Sequence, residues 1–381
     1  MNKKEIGVYI HIPFCKRKCN YCDFISYTNK SDKIEKYIKC LEQEINKFDF
    51  SKYKVSTIYI GGGTPSFIES KYIKQIMNAL YNKININKKE DIEITIEINP
   101  GTVNERKLQD YKEVGINRLS IGLQASQDRL LKQLGRIHSF QEFIETYDLS
   151  KKLGFENINV DLMLGLPNQT IEDLKESLNK IISLNPNHIS IYSLILEEGT
   201  KLFSEVENNE LKLPDEEIER NMYWYVKNIL ELNEYNHYEI SNFSKKGKES
   251  KHNLNCWNQE EYIGFGVAAH SYLNNTRFSN TKNLEEYIDN INNNNFEKNI
   301  TIEEEQEIAD SKNEFMMLGF RKIEGVDISK FKEKYIDNPI FLYREKLDKL
   351  VKEGLIEIDL NNIKLTNKGI DFANIVFEEF I

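Results

Sequence analysis

Along the first half of the chain, apolar and polar positions alternate between two periods. Short runs rich in β-branched residues fall at Val8–Pro13, Thr57–Gly61, Glu93–Asn99, Arg118–Gln124, Asn157–Gly165 and His188–Leu196. Stretches of helical period, such as Lys33–Lys47, Glu69–Asn82 and Ile171–Leu184, lie between them. Six βα units in succession predict a parallel sheet. Six are too few to close an eight-fold barrel, so the expected fold is α/β, an open, partial (β/α)6 barrel of the TIM type over residues 1–205. Gly61–Thr64, Glu97, Asn99 and Gln124 then fall at the C-terminal ends of strands, the edge where parallel α/β folds build their sites.

Beyond residue 205 the pattern loosens. A connecting region over 206–295 holds a helix around Pro214–Leu232, a short strand near His237–Ile240 and the segment His252–Tyr272. Residues 296–381 read as three helices, a hairpin of Leu355–Ile358 and Ile363–Leu365, and a final helix, the order of a small winged-helix-like domain.

Charge narrows what such a fold does. The 381 residues carry a formal net charge of -10 with no basic block, which argues against a nucleic-acid partner, since that role needs concentrated Lys and Arg. The winged-helix-like region is itself acidic, with 12 Lys and Arg against 18 Asp and Glu over residues 301–381. It is expected to cover the barrel mouth or dock a protein acceptor instead of reading a DNA groove. The N-terminal MNKKEIGVYIHIPF lacks the apolar run of a signal peptide, and no stretch reaches membrane-spanning length. Five cysteines, three of them within eight positions, do not suit a disulfide framework and point to a reducing, cytoplasmic setting.

Those three, Cys15, Cys19 and Cys22, have the spacing C-x3-C-x2-C directly after the first strand. Three thiolates can hold three irons of a 4Fe-4S cluster and leave the fourth iron open to a small molecule, whereas an electron-transfer ferredoxin saturates its cluster with four Cys. The alternative is a zinc site completed by His11, which would more usually be built from C-x2-C pairs. Cys40 lies in an amphipathic helix and reads as a small core residue.

The segment VYIHIPFCKRKCNYCDF resembles the cluster loop of the radical S-adenosylmethionine (SAM) superfamily, in the branch related to oxygen-independent coproporphyrinogen III oxidase. GGGTPS at 61–66, EINPGT at 97–102, GINRLSIGLQ at 115–124, LGRIH at 134–138 and NVDLMLGLPNQT at 159–170 resemble the same family in the same order. The resemblance implies SAM chelating the open iron. Gly62, Gly63 and Thr64 match the SAM-binding loop, Glu97 places a carboxylate beside the cofactor, and Gln124, Arg136 and Asp161 match positions that hydrogen-bond its carboxylate, ribose or adenine. Tyr9 and Tyr21 align with aromatic positions flanking the cluster and the adenosyl group. Taken singly, each has a plainer reading as a tight turn, a barrel-filling polar residue or packing.

Within this branch two departures resemble the HemW heme chaperone group. Phe24 stands where the oxidase motif carries a further cysteine, and Cys15 leaves no room for the oxidase's N-terminal extension. A third feature is positive: His252, Asn253 and Trp257 match the group's H-N-x-x-Y-W motif, which implies heme binding at His252 and Trp257. Cys256 replaces the motif's Tyr, either as a further iron ligand or as packing, and His270 is a second candidate imidazole. The expectation is a heme chaperone holding a 4Fe-4S cluster, SAM and heme, which passes heme to an acceptor protein. A membrane-bound acceptor and a homodimer are both admissible. Its rivals are a coproporphyrinogen III dehydrogenase working through a 5′-deoxyadenosyl radical, and a winged-helix regulator using its cluster as a sensor.

Overall fold

The computed structural model describes residues 3–84 and 92–381. Six parallel strands form its centre: β1 (Lys4–Ile12), β2 (Tyr53–Gly62), β3 (Glu93–Ile98), β4 (Arg118–Gln124), β5 (Asn157–Leu164) and β6 (His188–Ser193), paired in chain order. Each has two unlike faces. On β1, Ile6, Val8, Ile10 and Ile12 are buried outward against helices, while Gly7, Tyr9 and His11 take the alternate positions facing the barrel interior. The same alternation puts Thr57 and Tyr59, Glu93, Thr95 and Glu97, Arg118 and Ser120, and Asn159 and Asp161 inside, so the interior is polar and the layer between strands and helices is apolar.

The connecting helices are amphipathic and well stopped. Ile34–Lys47 buries Tyr37, Ile38, Leu41 and Ile45 on one face. Ser139 and Thr170 cap the helices Phe140–Lys152 and Ile171–Leu184 through reciprocal bonds with Glu142 and Asp173.

The strands β1 and β2 start earlier than their apolar patterns, at Lys4 and Tyr53, because polar first residues such as Lys4, Glu5 and Lys54 break the apolar pattern yet are already paired in register, Lys4 with Tyr53 and Glu5 with Lys54. The last parallel strand ends at Ser193, short of the expected Leu196, and Ile195 projects into solvent.

The sheet continues into the segments after residue 205. On one side β6 pairs antiparallel with β8 (Asn242–Ser244), which pairs with β7 (Asn236–Glu239). On the other, β9 (Tyr262–Phe265) runs parallel to β1 and leads through β10 (His270–Leu273) and β11 (Thr276–Asn280) to β12 (Ile300–Glu305). The barrel thus opens into a sheet of 12 strands.

Residues 308–381 form a helical domain around Phe315, Phe320, Phe331, Leu347 and Phe380, with a small sheet of β13 (Val326–Asp327), β14 (Ile356–Ile358) and β15 (Asn362–Leu365). Among the described residues its hydrogen bonds to the rest of the chain fall on Trp224, Tyr238, Ile240, Asn258, Gln259 and Arg277 and none on the cysteine loop, so the expected cover over the barrel mouth is not what it forms. Among the described residues, no helix is long and apolar enough to cross a membrane.

Candidate functional site

The cysteine loop leaves the C-terminal end of β1 and folds over the barrel mouth. The backbone N–H of Cys15 donates to the carbonyl of Tyr27 at 3.0 Å, and Asn20 ties the loop to residues 133–134 through its backbone and its side chain. Cys15 is buried and Cys19 and Cys22 are half-buried; all five cysteines of the chain are free thiols. Thr64 Oγ1 lies 3.4 Å from Cys15 Sγ, and an Arg136 Nη1 donor lies 3.7 Å from Cys19 Sγ. Burial pushes the Cys22 thiol up to about 11. Among the described residues, no three His, Cys, Asp or Glu side chains are gathered around one point as a single metal ion would require. A cluster that gives each thiolate its own iron makes no such demand.

Beneath the loop, the glycines after β2 bring backbone against backbone. Gly63 N–H donates to Ile12 O and Thr64 N–H to Phe14 O, both at 2.9 Å. A Cβ at Gly63 would stand 3.0 Å from Cys15 Sγ, and Gly62 has φ +110°, a conformation that favours glycine. Glu97 accepts from Tyr59 Oη at 2.9 Å and from Gly62 N–H at 3.2 Å, and burial pushes its carboxyl up to about 7. Arg136 is held by Asn99 Oδ1 at 2.8 Å and by the carbonyl of Gly122, yet its buried Nε has no partner. Asp161 accepts from Ser120 and Asn159 at 3.1 and 2.7 Å, and burial raises it. Gln124 adopts φ +76° at the end of β4.

Cys15, Cys19, Cys22, Tyr21, Gly62, Gly63, Thr64, Glu97, Gln124, Arg136 and Asp161 line one cavity of about 400 Å³, within the range of small-molecule cofactor sites. Tyr9 does not line it. Its hydroxyl is 2.9 Å from His11 Nδ1 and its ring stacks on Tyr59, one layer deeper in the barrel. Tyr59, Asn99, Ser120 and Tyr192 are also part of the wall. The inward period of the strands is the signal that finds Tyr59, Ser120 and Tyr192 in the sequence.

His252 and Trp257 lie elsewhere. Both belong to the helix Lys251–Trp257, whose first N–H groups bond Glu93 at the N-terminal end of β3, opposite the mouth. His252 is 7% exposed and reaches into the barrel, with Nδ1 2.9 Å from Thr57 Oγ1 and its ring stacked on Tyr59. Burial and the Arg118 charge take it down to about 4. Trp257 lies under the Arg321 guanidinium at 4.4 Å. Cys256 is half-buried beside it, and burial pushes its thiol up to about 11. His270 is exposed and carries Glu303 on Nδ1 at 3.1 Å.

Residues 9–181 match the family model described as Radical SAM superfamily, and residues 309–372 match the HemN C-terminal domain. Across its length the chain is 39% identical to the Heme chaperone HemW of Bacillus subtilis (strain 168), covering 98% of this chain and 99% of that protein. The chain belongs to the HemW family. Its likeness to the HemW of Lactococcus lactis is 37% over 100% and 98% of the two chains, and to that of Escherichia coli (strain K12) 32% over 99% and 98%. The solved coproporphyrinogen III oxidase HemN of Escherichia coli, a radical SAM enzyme, superposes with a TM-score of 0.86 over 99% of this chain and 90% of that one. At 23% identity, that likeness establishes the fold alone. In this HemW family member Phe24, which follows the cluster motif, is 63% exposed at the rim of the cavity.

Proposed function

We propose that the protein is a radical SAM-type heme chaperone: it holds a 4Fe-4S cluster on Cys15, Cys19 and Cys22, binds SAM in the cavity beneath, and takes up heme for delivery to an acceptor protein. The carrying observation is the convergence of three thiols, a glycine-bearing turn and the half-buried carboxyls of Glu97 and Asp161 on one cavity at the barrel mouth. The residues fit the cofactors. Among the described residues the Nε of buried Arg136 is a donor without an acceptor, and glycine at 62 and 63 lets the loop pack against His11 and Cys15 at the cavity wall, where a Cβ would crowd them.

In this reading the Gly62 and Gly63 backbone, Thr64 and Glu97 receive the methionyl end of SAM, with Glu97 accepting from its amino group. Gln124, Arg136 and Asp161 hold the carboxylate, ribose or adenine, and Tyr21 packs on the adenosyl side. Tyr9, which does not reach the cavity, supports the floor through Tyr59. Cys15, Cys19 and Cys22 would hold the cluster, which when bound and reduced would be a one-electron donor beside SAM's sulfonium. The contribution of this chain's residues is to fix that sulfonium near the open iron and to exclude water with the folded loop.

Heme enters the reading through the HemW relatives, with His252 and Trp257 as the proposed site. Because His252 lies inside the barrel, heme ligation there requires its imidazole to leave Thr57 and Tyr59. Free thiols throughout suit a cytoplasmic setting.

The test is anaerobic reconstitution with iron and sulfide, then equilibrium dialysis with SAM and an absorbance titration with heme. Saturable binding of one SAM and one heme per chain is expected, with heme binding lost in His252→Ala. Failure of heme to saturate would overturn the chaperone reading, and retained binding in His252→Ala would move the site elsewhere.

A further inference from the structure

Tyr59 occupies the wall between the two proposed sites. Its hydroxyl donates to Glu97 Oε1 at 2.9 Å within the mouth cavity. Its ring lies against the His252 imidazole, with centroids 5.2 Å apart and planes inclined by 29°. One side chain thus has its polar tip in the SAM pocket and its flat face on the heme histidine.

His252 cannot meet a macrocycle where it stands. The ring is enclosed by Thr57, Tyr59 and the backbone of Gly7, whose Cβ, if it had one, would lie 3.5 Å from His252 Cε1. A planar heme needs an imidazole nitrogen clear of its surroundings by the width of the porphyrin, so ligation demands that His252 slide off Tyr59. What fixes Tyr59 therefore sets how readily His252 departs. On one side Tyr59 is backed by Tyr9, with ring centroids 6.4 Å apart, and at its tip it is anchored by Glu97.

That anchor strengthens when a cationic group arrives. Buried Glu97 holds its proton up to about pH 7 in the protein alone, and an ammonium beside it favours the ionised form. An ionised carboxylate accepts a shorter and stronger hydrogen bond than a neutral one. The second Glu97 oxygen already accepts from Gly62 N–H, so the carboxylate is oriented by the same loop that receives the methionyl group.

We propose that Tyr59 is a positioning residue that couples the two sites, so that SAM in the mouth cavity holds His252 inside the barrel and weakens heme capture. This rests on the functional reading above. Linkage makes the effect reciprocal: heme on His252 weakens SAM binding by the same factor, about fivefold or more for a coupling of ordinary size. It gives the chaperone an order of events, with heme loading favoured on the SAM-free protein.

The experiment labels histidines with diethylpyrocarbonate in the full-length, anaerobically reconstituted protein, with and without saturating SAM, and reads each site by peptide mass spectrometry. Exposed His270 is the internal reference, since its labelling should not respond to SAM. His252 labelling is expected to slow several-fold with SAM, and Tyr59→Phe, which keeps the ring and removes the hydroxyl, is expected to abolish that dependence. In parallel, heme affinity should fall with SAM in the parent and not in Tyr59→Phe. Equal His252 labelling with and without SAM, or a full SAM effect surviving in Tyr59→Phe, would overturn the coupling. Absence of any heme binding would overturn the functional reading instead, and the labelling would still decide the coupling.

Discussion

Gly62 faces His11 so closely that a Cβ on Gly62 would stand 2.6 Å from the imidazole, in a backbone conformation of φ +110° that L side chains rarely adopt. Gly62→Ala therefore incurs both a collision and backbone strain. We expect it to destabilise the protein by about 2–4 kcal/mol and to abolish SAM binding, measured by chemical denaturation and equilibrium dialysis. The double variant Gly62→Ala/His11→Ala should recover part of the stability, because it removes the collision and leaves the strain. Equal stability of the single and double variants would show that the contact is not the cause.

How much of this arrangement was written in the sequence follows from the range of the interactions concerned. The parallel strands are legible because each has an apolar face toward helices, and Ile171–Leu184 is legible to the residue because Thr170 and Asp173 cap it locally. Part of the cavity is legible because Gly62, Glu97 and Gln124 lie at strand ends that the period locates, whereas Tyr21, Arg136 and Asp161 are reached only through the family resemblance. By contrast β9 and β10 are four residues each and pair only through the tertiary fold, so no period announces them. The position of His252 beneath Tyr59 is set by a helix docking under the barrel through Glu93, far away in sequence. No local signal carries that.

Cluster binding should separate cleanly from folding. Cys19 is half-buried and, among the described residues, its thiol takes a long hydrogen bond from Arg136 at 3.7 Å, so Cys19→Ala should change stability by less than about 1 kcal/mol. Iron and sulfide content after anaerobic reconstitution should nonetheless collapse, as it should in Cys15→Ala and Cys22→Ala. Cys40→Ala, in the core helix, should reconstitute normally. Retention of a full cluster in Cys19→Ala would contradict the three-cysteine assignment.

Glu97 gives stability a pH dependence of known sign. Burial raises its carboxyl from its ordinary value of 4.5 to about 7, so between those values the folded state holds a proton that the unfolded state has lost. Its contribution is present below about pH 4.5 and fades as pH rises through about 7, by on the order of 3 kcal/mol in all. Glu97→Gln cannot titrate. The difference in unfolding free energy between parent and variant, measured from pH 5 to 8, should move in favour of the variant as pH rises, and a difference independent of pH would refute the raised carboxyl.

Arg321 of the C-terminal domain covers the Trp257 ring at 4.4 Å, a cation–π contact worth roughly 1 kcal/mol where partly desolvated. Arg321→Ala should speed amide exchange over the helix Lys251–Trp257 and leave exchange in β2 and β3 unchanged, read by mass spectrometry. Unaltered exchange in that helix would mean the C-terminal domain does not secure it.

The central claim is that this barrel carries heme and does not decarboxylate a porphyrinogen. The most direct measurement gives one anaerobic preparation, reconstituted with its cluster and supplied with SAM and a reductant, coproporphyrinogen III in one aliquot and heme in another. The account predicts saturable uptake of one heme per chain, with no conversion of propionate to vinyl groups. Steady decarboxylation with SAM consumption would contradict it and make the protein an oxidase despite Phe24.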